Sequence, residues 1–146
     1  MANRHLSRFA GLALAMAGLL PTVRGDDKKD PPEKPPTYVV GSVADETLAK
    51  KAPAAGVAVT KKGWDELLKA WDITKPPFEV DFDKHLVVIA TSQGSTVKLT
   101  TALDNKGDLA VKVVGTADLR PGFRYAFQRL DRAGIKTISG KAVPKE

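Results

Sequence analysis

"VAVTKKGWDELLKAW", residues 57–71, and "HLVVIATS", residues 85–92, decide the fold class, because the spacing of apolar positions changes between them. In the first stretch Trp64, Leu67, Leu68 and Trp71 stand at i, i+3, i+4 and i+7, one stripe of an amphipathic helix. Thr60 is placed to cap it, and Asp65 and Glu66 lie toward the N-terminal end, where the helix dipole favours acid. "KPP" (Lys75–Pro77) forbids continuation, so the spacing predicts a helix over 61–72. A two-indole stripe also suits a sugar-binding or partner-binding platform, but anchoring the helix to a sheet is the simpler use. From Phe78 onward the period falls to two. "HLVVIATS" is a nearly continuous β-branched run, as expected of a strand covered on both faces, with Val87, Val88 and Ile89 in the core.

Downstream, "TVKLTTAL" (Thr96–Leu103) and "DLAVKVVG" (Asp108–Gly115) alternate, and "DNKG" between them spells a type I hairpin turn with a left-handed glycine. The same spelling recurs as "DRAG" (Asp131–Gly134), joining "FRYAFQRL" (Phe123–Leu130) to "IKTIS" (Ile135–Ser139). Two hairpins of one grammar predict an antiparallel meander of about five strands over 85–139 with the Trp helix on one face, an α+β domain. Phe123, Tyr125 and Phe127 fall on one side of their strand, toward the core. Residues 38–56 are less defined: "YVVGSV" reads as a short strand and Asp45–Lys51 as a helical turn closed by Pro53. The folded domain is expected over 57–140, with 141–146 as a tail.

At the other end, residues 1–25 read as an export signal: Arg4, His5 and Arg8, then the apolar run Phe9–Val23, shorter than a bilayer span of about 20 residues. "DDKKDPPEKPPT" (Asp26–Thr37) has four prolines and seven charges, a composition that predicts an extended, disordered tether. The leader holds three arginines and no acid, so its removal lowers the net charge from +6 to +3, too little to mark a polyanion-binding protein. Without cysteine there is no disulfide, thiol nucleophile or lipidated thiol, and the exported domain must rest on its core.

"VDFDKH" (Val80–His85) carries the residue types of a metal or proton-transfer site. If extended, Asp81, Asp83 and His85 would share one side, but a metal usually draws a further ligand from elsewhere, and no Cys or second mature His exists to supply it. The simpler reading makes this a polar approach to a buried strand, with Phe82 as an anchor, Asp83 in a turn and His85 at the strand edge. No G-x-S-x-G elbow or phosphate-cradling loop is present. Arg120, Arg124, Arg129 and Arg132 interleave with aromatics, but the spacing of an RNA-recognition strand is not met. They stand as candidates for a surface that meets an acidic partner.

The run from Val57 to Gly94, with its Thr-capped helix bearing Trp64 and Trp71, a proline, "VDF" (Val80–Phe82) and a valine-rich strand, resembles the C-terminal domain of the protease-complex stability (PrcB-like) proteins and related small exported bacterial proteins. The similarity extends to about Ile138. It implies a small β-rich fold and a role as an accessory subunit that binds and steadies a protease without catalysis of its own. The matched positions are core and corner residues, so the resemblance assigns no functional site.

The sequence is therefore expected to encode a non-enzymatic exported protein-interaction or accessory domain, periplasmic or extracellular. It implies a protein partner, no cofactor, no nucleic acid and no membrane span once the leader is cleaved. The competing readings are a small metal-dependent hydrolase centred on Asp81, Asp83 and His85, and a carbohydrate-binding module.

Overall fold

The computed structural model describes residues 37–118 and 120–145. The expected leader and all of the expected tether but Thr37 lie outside them. Helix α1 (Lys61–Ala70) forms on the Trp stripe, and the Thr60 hydroxyl accepts from the Gly63 N–H at 3.3 Å, as an N-cap should. It ends two residues before the expected boundary. Trp71 is the C-cap and Asp72 turns left-handed at φ 55°, releasing the chain toward Pro76 and Pro77.

The first sheet has the order β1–β6–β3–β2, where β1 is Tyr38–Val43, β2 Val57–Ala58, β3 His85–Ser92 and β6 Phe123–Asp131. All its pairings are antiparallel, with Val39 opposite Phe127 and Ile89 opposite Phe127 from the other side. Strand β3 is interior and flanked by layers on both faces, which accounts for its unbroken apolar run. Val87 and Ile89 face α1, whereas Leu86, Val88 and Ala90 face a second sheet. The segment before α1 is ordered too: β1 forms, and Glu46–Lys51 makes a 3-10 helix capped by Asp45.

The second sheet, β4–β5–β7–β8, comprises Val97–Leu103, Asp108–Gly115, Thr137–Ile138 and Lys141–Ala142. The "DNKG" turn closes the β4–β5 hairpin with Gly107 at φ 90°, where a Cβ would fall 2.6 Å from the Gly134 carbonyl oxygen. The domain is thus α+β and mainly antiparallel, with one helix on one face. The five-strand meander, however, is corrected: β3 pairs with β6 rather than β4, and the strands divide between two sheets. "DRAG" turns the chain but makes no second hairpin. After it the chain crosses to the other sheet, where β7 runs parallel to β5, Leu109 beside Ile138. Turn chemistry sets a reversal of direction; the partner is set by which apolar face needs cover. A strand apolar on both faces, such as β3, needs a layer on each side. The chain beyond Gly140, expected as a tail, supplies β8.

Two cores result. Between α1 and the first sheet lie Trp64, Trp71, Phe78, Phe123, Tyr125 and Phe127. Trp71 stacks on Phe127 at 5.7 Å and meets Phe123 edge-on at 5.0 Å, while Trp64 meets Phe127 edge-on at 4.7 Å. Each such pair adds about 0.5–1.5 kcal/mol beyond the area it buries. Between the sheets the core is aliphatic: Val57, Leu86, Val88 and Ala126 against Val97, Leu99, Leu109 and Ile138. Every side chain expected in the core is buried except Phe82, which is half-buried against the aromatic cluster. Among the described residues, no helix is long and apolar enough to cross a membrane.

Candidate functional site

The acid–imidazole stretch is not extended. Residues 82–84 form a turn, in which the Asp81 side chain accepts from the Asp83 N–H at 3.1 Å and the Asp81 carbonyl accepts from the His85 N–H at 2.7 Å. His85 then opens β3, its Nδ1 lying 3.1 Å from the same carbonyl oxygen. The Asp81 carboxylate also pairs with the Lys84 ammonium at 2.9 Å, and this bond, with the Asp83 N–H, holds its pKa below the ordinary value. Asp81, Asp83 and His85 therefore do not line up on one side of a strand. Among the described residues no cluster of three or more His, Cys, Asp or Glu is placed to hold a metal.

Trp64 and Trp71 are sealed at 3% and 2% exposure, and the Trp71 indole N–H donates to the Leu48 carbonyl at 2.8 Å. Neither ring offers a face on which a sugar could stack. The arginines do not converge either. Arg124 and Arg129 lie on opposite faces of β6 by strand alternation. Arg129 donates to the Glu79 carbonyl at 2.6 Å and sits over the Phe78 ring, and Arg132 donates to the Phe82 carbonyl at 3.3 Å. These two tie down the segment that leads into β3. Arg120 contacts Asp118 at 3.4 Å.

Two features escaped the sequence reading. The first is a polar corner where the loops after β3 and β5 meet. Asp118 accepts from the Ser95 N–H and hydroxyl at 3.1 and 3.0 Å, and the Ser95 and Thr116 hydroxyls lie 3.1 Å apart. The Thr116 hydroxyl, then the Ser95 N–H and hydroxyl, hold the Asp118 carboxyl far below the usual carboxylate range. The carboxylate that accepts from the Ser95 hydroxyl is a weak base, because the same hydrogen bonds lower its proton affinity, and no imidazole takes part in these contacts. Its partners are 23 residues apart, beyond the reach of any local motif.

The second is the outer edge of β5. One side of β5 pairs with β4 along its length, whereas the other meets β7 only at Asp108 and Leu109. From Val111 to Gly115 no strand lies beside that edge among the described residues. Val113 and Val114 are 45% and 51% exposed there. Beside Val113 opens a groove of about 300 Å³ between Ala54–Gly56 and the β7–β8 turn, walled by Val111, Val113, Ile138 and Pro144. The sequence held one signal for this edge: "VKVV" ends on adjacent valines, and in a strand two neighbours cannot both face the core. No family model, curated protein or solved structure matches the chain.

Proposed function

We propose that this chain is a non-enzymatic interaction domain that binds a protein partner outside the cytoplasm. The observation that carries the reading is the edge of β5 beyond Val111, which no other strand of the described residues pairs and where Val113 stands exposed beside a mainly apolar groove. An exposed edge of this kind is a ready template for pairing with another chain, and proteins normally blunt or cover it. The export-like pattern of residues 1–25 supports a location in the periplasm or beyond the cell. The resemblance of Val57–Ile138 to protease-stabilising accessory domains favours a supporting role over catalysis. Asp81, Asp83 and His85 serve to shape the turn into β3.

The purified protein, used as bait in the native envelope and secreted fractions, should retain a defined partner at fixed stoichiometry. Complex formation should be unchanged in His85→Ala, and neither form should turn over ester, peptide or glycoside substrates. Hydrolysis that His85→Ala abolishes would replace this reading with an enzymatic one.

A further inference from the structure

Resting on that reading, we infer that the partner contributes an extended segment of alternating apolar and acidic residues, which adds to the second sheet as a strand along Val111–Gly115. The backbone sets the extended form. The Asp108 carbonyl turns toward β4 and accepts from the Asp104 N–H at 3.0 Å. Leu109 turns the other way, its carbonyl accepting from the Ser139 N–H at 3.0 Å, and the Val111 N–H follows it, reaching the Ser139 hydroxyl at 3.4 Å. Strand alternation carries this pattern on, so the Val113 N–H and C=O both point away from β4. A row of outward donors and acceptors is matched by the backbone of another strand about 4.8 Å away, the geometry of strand addition.

The side chains set the composition. Residues of the added strand that point inward enter the groove, whose lining is mainly apolar (Val111, Val113, Ile138 and Pro144) and also holds Ser139 and Lys141. Those that point outward join the far face of the sheet, where Lys98 lies opposite Val114 and Lys112 opposite Thr100. The other outward side chains of the hairpin are Ala102, Ala110 and, at its turn end, Asp104 and Asp108; the Asp104 carboxylate is engaged by the Lys106 and Asp108 N–H groups and the Asp108 carboxylate by the Thr137 hydroxyl and the Gly140 N–H. The end of the face beside Val113 and Val114, with Lys98 and Lys112 and away from the engaged aspartates, is therefore cationic and favours acid in the incoming strand. The same charges disfavour a second copy of this chain as occupant. Pairing β5 with its own copy would gather Lys98 and Lys112 of both molecules on one face, the way lysine guards sheet edges against self-pairing.

The test is titration of isotope-labelled protein with a soluble, blocked peptide of alternating valine and glutamate, followed by backbone amide shifts. Saturable shifts centred on residues 111–115 and 54–56 are expected. The matching valine–lysine peptide should bind roughly tenfold more weakly or worse, and a glutamate peptide N-methylated along its pairing edge should not bind. Lys112→Glu leaves the strand ladder intact and should reverse the peptide preference. Val113→Pro removes the outward N–H and should abolish binding, with the near-ultraviolet signal of the buried indoles confirming that it folds. Shifts elsewhere, equal binding of both peptides, binding of the N-methylated peptide, or no binding at all would overturn the inference. So would concentration-dependent dimerisation through the same amides, which would make a second copy the occupant. A native partner captured equally by wild type and Lys112→Glu removes this site while leaving the interaction role standing. A normal peptide response with no native partner does the reverse.

Discussion

The two margins of this domain use apolar side chains in opposite ways. Beneath α1, six aromatic rings are packed to 9% exposure or less. At the edge of β5, Val113 and Val114 remain about half open beside backbone that no other strand of the described residues pairs. At the first margin, apolar surface is used up in folding. At the second it remains, together with donors and acceptors that any folded chain normally satisfies. The difference teaches that residue type does not mark a site. The indoles that most resemble a binding platform are buried, while two ordinary valines stay exposed at a strand edge.

The contrast breaks most decisively at Trp71. Trp71→Ala removes contacts with Phe123, Tyr125 and Phe127 and leaves the Leu48 carbonyl without its donor. Chemical denaturation should show a loss of about 3–5 kcal/mol; a near-neutral result would mean that the helix is not sealed on the sheet. A smaller effect is expected from the helix start. Thr60→Ala deletes the acceptor of the Gly63 N–H and should cost about 1 kcal/mol in the same measurement.

The polar corner next to the open edge responds to pH. The Asp118 pKa is lowered in the folded protein, so its contribution is present in full above the ordinary carboxylate value of about 3.9 and declines as the pH falls below it. Thermal unfolding should show wild type more stable than Asp118→Asn near neutrality, with the gap closing in acid. The smallest change should come at the edge itself. Val113→Thr keeps the β-branched shape of an already exposed side chain and should shift stability by less than about 0.5 kcal/mol. A large loss there would show that Val113 belongs to the core after all.

Much of the architecture was legible because it is written in short periods. The i, i+3, i+4, i+7 stripe located α1 and named its buried residues, and the nearly continuous run His85–Ser92 marked a strand with both faces covered. Partner choice was not legible. "DNKG" and "DRAG" have the same spelling, yet only the first closes a hairpin, because β7 is drawn to β5 by the burial of Ile138 against the inter-sheet core. The Asp81–Asp83–His85 spacing suggested one face only if the segment was extended, and the Asp81 side chain instead caps a turn. The edge of β5 was half legible. Adjacent valines in "VKVV" require one to face outward, but the lack of a neighbouring strand beyond Leu109 among the described residues depends on β7 being two residues long.

Backbone hydrogen exchange of the free protein compares the two margins most directly. The Phe127 amide, in a strand flanked by β1 and β3, and the Ile89 amide, bonded to the Gly56 carbonyl at 2.8 Å, should exchange only through global unfolding. The Val113 amide should exchange orders of magnitude faster, near the rate of an open chain. Protection at Val113 equal to that at Phe127 would mean the edge is already covered, and the contrast drawn between the two margins would be wrong.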